Sequence, residues 1–396
     1  MNVWFFSVNR VSDRDFARYG LEELVALGFS IKVIDISDLI WGTKDAVLEN
    51  EIKFSLEYCN SKRCFFSIID GISEQDAIIC GGVLPPLYHL YLSRKTRKFG
   101  LQTLGAMPAV KPMYSRESLR DRFSQYAAIL NRKGLFQKVL SKLIGFVVYK
   151  RYPFKFVQRS GYLSTSNYPG LGHEHDIIEC QSYDIYMHLL KKTSKTKELS
   201  KTLCRNSSGY ILWIDQAIPY HTDTLKCNGD ISIFATGYYQ RIKSLLLRLS
   251  ELYGCTIKIS LHPRMYDSVI YQRVWEGWDV LSEDTVNGIR GASLCVTHNS
   301  TAIHSVAYFK VPLFLIKDVL LTDNGYDAGI TDSFKEELGC ILIDSSSTSS
   351  FPQGVPPIDL ARYESYVRKY VYNGDSPYPI NAINTSKYIS ENGGRG

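Results

Sequence analysis

No apolar stretch of this 396-residue chain reaches the ~20 residues that a membrane-spanning helix requires. After Met1 the residues NVWFFSV read as a strand, not as a basic segment leading into an apolar signal core. The nine cysteines are scattered and odd in number, and none is spaced as CxxC. Reduced thiols in a cytosolic protein are therefore expected, with neither a disulfide framework nor a zinc site. GxxxxGK[ST] and GxGxxG are missing too, which argues against a P-loop NTPase and against a dinucleotide-dependent oxidoreductase.

What is present is ordinary globular composition, 45% hydrophobic and 22% charged, over a length that suits two domains better than one core. The net charge of +6 hides an asymmetry. Residues 91–160 hold 16 Lys and Arg against Glu117 and Asp121 alone, whereas the remainder is net acidic. Inside that block, LFQKVLSKLIGFVV (135–148) carries its apolar residues at helical spacing, with Lys138 and Lys142 between them. Such a helix suits an anionic membrane surface, and equally a core helix with a solvated basic face. Nucleic acid is not expected as a partner, because no recognised reading module accompanies the charge.

Strand-like and helix-like segments alternate along the chain. NVWFFSV (2–8), DFARYGLEELVALGF (15–29) and IKVIDI (31–36) open a βα pattern that CFFSIID (64–70) and DAIICGG (76–82) continue. The polar stretch 191–209 reads as a linker or surface segment. Beyond it, YILWID (210–215), TIKISLHP (256–263), WDVL (278–281), SLCV (293–296) and VPLFLI (311–316) read as short buried strands. A helical pattern spans 237–254, and another follows at 360–372. The expected fold is α/β, with two Rossmann-like domains facing each other across a cleft. Residues 1–190 form the first and 205–358 the second, and 359–396 form a terminal helix and tail that packs back on the first.

Three polar clusters fall at strand ends of the second domain, where open parallel sheets bind their ligands. Asp215 and Gln216 follow YILWI, His262, Pro263 and Arg264 follow TIKISL, and Thr297 to Thr301 follow SLCV. Any one of them has a plain structural reading as a cap, a turn or a loop histidine. Three on one rim favour a site. The residues after SLCV start a helix at Ser300 or Thr301, whose buried face is Ala302, Ile303, Val306 and Ala307. Its first N–H groups lack intrahelical partners and carry the positive end of the dipole, so the corner suits an anion such as phosphate.

WIDQAIP (213–219), then LHPR (261–264), then THNSTAIHSVAYFKVPLF (297–314) resemble the bacterial surface-polysaccharide glycosyltransferases of GT-B architecture. The likeness is nearest to capsule and O-antigen Kdo transferases that use CMP-Kdo, with a looser one to bacterial sialyltransferases and glycerophosphate-polymer transferases. It covers roughly residues 177–320. The third corner departs from the family pattern, since His298 and Asn299 stand beside the hydroxyls, and this leaves the nucleotide open.

The resemblance implies that His262, with Pro263 and Arg264, and the Thr297, Asn299, Ser300 and Thr301 corner bind the phosphate of a CMP-sugar. Gln216 would hold the carboxylate or the sugar. Asp215 would project into the cleft at the anomeric carbon. There it would act as nucleophile in a retaining enzyme or as general base in an inverting one. A monophosphate donor needs no bridging metal, and no DxD-type pair is persuasively placed, so no cofactor is expected. The acceptor is expected to be a lipid-linked glycan of the O-antigen, capsule or lipopolysaccharide, at the inner face of the inner membrane. Asn9, Arg10, Gly81, Gly82 and His221 are acceptor-side candidates. A transferase of another donor (CMP-sialic acid-like, UDP-sugar or CDP-glycerol) and a non-catalytic assembly protein remain as alternatives.

Overall fold

The computed structural model describes residues 2–8, 10–11, 16, 19–41, 55–73, 76–82, 84–98, 103–106, 144, 147–148, 156–160, 177–180, 182, 185, 209–220, 232–265, 268–282, 284–323, 329–346, 351–352, 354–355, 357–371, 385–387 and 389–390. The chain divides into two units. The first comprises Met1–Val110, Arg116–Tyr186 and Tyr372–Gly396, and the second Lys111–Ser115 and Met187–Val371.

The first unit is built on seven parallel strands: β1 (Asn2–Ser7), β2 (Ser30–Asp35), β3 (Ser55–Tyr58), β4 (Ala77–Cys80), β5 (Thr103–Ala106), β6 (Phe156–Ser160) and β7 (Ile177–Cys180). Their order is β3-β2-β1-β4-β5-β6-β7. β1 is buried from Val3 to Ser7 because both faces of a parallel sheet are covered. Val3 and Phe5 join Leu21, Leu24 and Ile389 on one face, and Trp4 and Phe6 join Phe65, Ile68 and Leu92 on the other. CFFSIID lies in the helix Lys62–Asp70, capped by Ser61, whose hydroxyl accepts from the amide of Cys64. Phe65, Ile68 and Ile69 recur there at helical spacing and are buried.

The second unit holds five parallel strands: β8 (Tyr210–Ile214), β9 (Thr256–Ser260), β10 (Ala292–Thr297), β11 (Leu313–Lys317) and β12 (Ile341–Asp344). Their order is β12-β11-β10-β8-β9. The helix Ala235–Tyr253 covers one face with Tyr238, Ile242, Leu245, Leu246 and Leu249. WDVL forms no strand and makes one parallel bridge, Ile259 to Val280, beside β9.

The terminal helix Leu360–Tyr370 belongs to the second unit and packs on the helices Ile303–Tyr308 and Ile330–Leu338. Tyr363 donates to the carbonyl of Val311, and Lys369 meets Glu337 at 2.7 Å. The tail is not continuous with this packing, since Ile389 is buried in the core of the first unit. The expected break at residue 359 thus falls at 371 instead.

In each sheet the chain leaves a central strand in one direction and returns on its other side, so the order reverses once. The reversal lies between β1 and β4 in the first sheet and between β8 and β10 in the second. Diverging connections at such a point open a crevice beyond the carboxyl ends of the strands.

Candidate functional site

The corner after β8 stands at the reversal point of the second sheet, and its residues are held from several sides. Thr297, at the end of β10, donates its hydroxyl to the carbonyl of Ile214 at 2.9 Å. Gln216 and Asn299 exchange two hydrogen bonds. The Gln216 amide donates to Asn299 Oδ1 at 3.2 Å, and the Asn299 backbone N–H donates to Gln216 Oε1 at 3.1 Å. Both side chains are buried, as is Thr297.

Asp215 follows β8 as the sequence predicts, but its side chain is turned inward. Its carboxylate was expected to project from the strand end, but the residue is 2% exposed. Tyr271 Oη donates to Oδ2 at 2.9 Å, Trp275 Nε1 donates to Oδ2 at 2.8 Å, and the amide of Ala217 donates to Oδ1 at 3.1 Å. Burial pushes its carboxyl above the ordinary carboxylate range, outweighing these hydrogen bonds. Ala217, which follows the corner, has φ of 50° in the left-handed region, an uncommon conformation for a residue with a Cβ. Close by, the Tyr239 hydroxyl is buried without a hydrogen-bond partner among the described residues.

His262 follows β9 and is half-buried, with Pro263 exposed beside it in a single turn of 3₁₀ helix, Pro263–Met265. The His262 amide donates to Tyr271 Oη at 3.1 Å. In the third corner, Ser300 and Thr301 are half-buried, and Ser300 Oγ accepts from the amide of Ala302 at 3.2 Å. The regular helix starts later than expected, at Ile303, and runs only to Tyr308.

His298 belongs to the core. Its Nδ1 is 2.7 Å from the carbonyl of Ile316, and its Nε2 is 2.7 Å from Tyr238 Oη. A carbonyl only accepts, so Nδ1 carries a proton, and in the neutral ring Nε2 accepts from the tyrosine. This ties helix Ala235–Tyr253 to β10 and β11.

One turn along that helix lies a pair that the sequence reading missed. Arg241 reaches the buried Asp318, just beyond β11, with both Nε and Nη2, at 2.9 and 2.7 Å. Ser345 also donates to Asp318. Burial alone would raise the Asp318 carboxyl, but Arg241, Ser345 and the Leu320 amide together hold it below its ordinary value. The available signal was positional, since Asp318 follows LFLIK as Asp215 follows YILWI.

In the first unit, Gly81 and Gly82 follow β4 at its reversal point, and both have packing reasons to be glycine. A Cβ on Gly81 would stand 2.6 Å from Phe5 Cζ, and one on Gly82, at φ of 150°, would stand 2.6 Å from Val8 Cγ2. Arg10 lies over the Tyr58 ring and bonds Asp38 at 3.0 Å. Asp35, at the end of β2, accepts from the amides of Val11 and Ser37. Asn9, His221, the Arg264 side chain, Lys138 and Lys142 lie outside the described residues. Among those described, no group of three or more His, Cys, Asp or Glu could hold a metal ion, and no helix is long and apolar enough to cross a membrane.

No family model and no curated protein matches the sequence. Solved structures do. A variant of the wall teichoic acid polymerase TagF soaked with CDPG is 13% identical, covers 98% of this chain and 89% of its own, and has a TM-score of 0.52. TagF itself is 12% identical over the same shares, also at 0.52. The UDP-GlcNAc 2-epimerase of Methanocaldococcus jannaschii, 12% identical over 99% of this chain and 100% of its own, stands at 0.45. At such identity the likeness to TagF shows the fold, which is α/β with two Rossmann-like domains, the GT-B class.

Proposed function

We propose that this chain is a glycosyltransferase of bacterial surface-glycan synthesis that takes its sugar or polyol unit from a nucleotide-activated donor. The observation that carries this reading is the gathering of three polar corners at the carboxyl ends of the adjacent strands β10, β8 and β9, two of them flanking the reversal point of the second sheet and the third next to it. The His262 imidazole and the hydroxyls of Ser300 and Thr301 stand at these strand ends as partners for a donor phosphate. An Arg–Asp pair, Arg241 with Asp318, braces the neighbouring strand end.

A CMP-activated ulosonate, with Kdo foremost, is the proposed donor, on the strength of the sequence motifs. CDP-glycerol is the second reading, favoured by the fold likeness to TagF, one structure of which was soaked with CDPG. Both donors are cytidine nucleotides. The proposed acceptor is a lipid-linked glycan, met on the cytoplasmic face of a membrane to which residues 91–160 bring positive charge.

Binding to the native state alone raises apparent stability, so thermal shifts with CMP, CDP, UDP and GDP test the reading. Stabilisation by CMP or CDP is expected. Stabilisation by UDP alone would replace the donor, and silence towards all four would leave a non-catalytic assembly protein.

A further inference from the structure

Asp215 has the wrong surroundings for a group that attacks a sugar. A carboxylate oxygen offers two in-plane lone pairs, and both of those on Oδ2 are met, by Tyr271 at 2.9 Å and Trp275 at 2.8 Å. Oδ1 accepts from the amide of Ala217. At 2% exposure, the carboxylate presents almost no surface from which to attack a sugar.

The bonds lead somewhere else. A tyrosine hydroxyl has one proton, and that of Tyr271 goes to Asp215. Its oxygen is thereby turned to accept, and it takes the backbone N–H of His262 at 3.1 Å. The chain Asp215, Tyr271, His262 thus has a fixed direction. On its other oxygen Asp215 holds the amide of Ala217, whose φ of 50° needs such support. One buried carboxylate therefore fixes two of the three corners.

We propose that Asp215 is a positioning residue, which through Tyr271 sets the backbone of His262 and through Ala217 sets the turn that carries Gln216. That His262 meets a nucleotide rests on the function proposed above, but the bracing itself does not.

The test reads both levels. Amide exchange of His262 is followed in the wild type, Tyr271→Phe, Asp215→Ala and Asp215→Asn, alongside titration with CMP and CDP. Tyr271→Phe and Asp215→Ala are expected to speed His262 exchange by about fivefold or more, the loss of one hydrogen bond, and to weaken nucleotide binding together. Asp215→Asn retains an acceptor for Tyr271 and is expected to restore most of the protection that Asp215→Ala loses. The double variant Tyr271→Phe with Asp215→Ala should be no worse than the stronger single change, because the two act in one chain. Unchanged His262 exchange in Tyr271→Phe and Asp215→Ala overturns the proposal. So does a covalent adduct on the peptide containing Asp215 after incubation with CMP-Kdo or CDP-glycerol. If the wild type binds neither CMP nor CDP while His262 exchange still responds, the donor reading fails and the bracing role stands.

Discussion

Gln216 and Asn299, 83 residues apart in sequence, are joined by two hydrogen bonds across the carboxyl ends of β8 and β10. Removing the Gln216 side chain takes both bonds, whereas removing that of Asn299 takes the one from the Gln216 amide and leaves a buried donor, since the other bond is made by the Asn299 backbone N–H. Gln216→Ala and Asn299→Ala are each expected to lower unfolding free energy by about 1–3 kcal/mol. The double variant should lose less than the sum, with a coupling of roughly 0.5–3 kcal/mol in a denaturant double-mutant cycle. Strict additivity would mean that the pair does not act as a unit.

His262→Ala is expected to leave the fold intact, since the side chain is half-buried at a strand end and the bond to Tyr271 uses its backbone. Loss of one hydrogen bond to a charged phosphate costs about 1.5–3 kcal/mol, roughly a ten- to hundredfold loss of affinity. Calorimetric titration with CMP or CDP checks this. Affinity equal to the wild type would remove the histidine from the site.

Asp318 and Asp215 are expected to give pH dependences of opposite sign. The folded-state pKa of Asp318 is depressed, so its contribution is present above the unfolded value of about 3.9 and disappears as pH falls through the folded one. That of Asp215 is raised, so its contribution is full below about 3.9 and is lost as pH rises through the folded value. The stability difference between wild type and Asp318→Asn should therefore grow with rising pH, and that between wild type and Asp215→Asn should shrink. Urea unfolding midpoints across the acid range provide the measurement, and parallel slopes would contradict it.

The basic block of residues 91–160 is expected to bind vesicles containing anionic lipid and to release them as salt rises, since screening shortens the reach of surface charge. Neutralising Lys138, Lys142, Lys150 and Arg151 together should weaken that binding at low salt. Equal partitioning onto neutral and anionic vesicles would reduce the block to a solvated face.

The βα alternation was legible because continuous apolar runs such as YILWI and LFLI are what a doubly covered parallel sheet demands. Short apolar runs were harder, since Phe65, Ile68 and Ile69 suit a buried helix as well as a strand. WDVL was over-read: Val280 meets Ile259, but the segment pairs no further. β3 (SLEY), β5 (TLGA), β6 (FVQRS), β7 (IIEC) and β12 (ILID) were missed, being four or five residues each, with β3, β7 and β12 at sheet edges. The strand-end rule located Asp215 along the chain and could not orient it. Tyr271 and Trp275, which close over it, come 56 and 60 residues later and carry no local signature. Arg241 was missed for a similar reason, because an arginine on an amphipathic helix looks solvated until its distant carboxylate is known.

The cross-bonding of the rim divides it into a frame and a reading edge. Thr297, Gln216, Asn299 and Asp215 are buried and bonded to neighbouring strands and helices, so they tolerate little change. Pro263, Ser300 and Thr301 stand at the same strand ends with more of their surface open. If the proposed donor site is right, a lineage or a library could alter donor preference at those three positions while the frame stays as it is, and exchange of one donor for another need not carry a loss of stability.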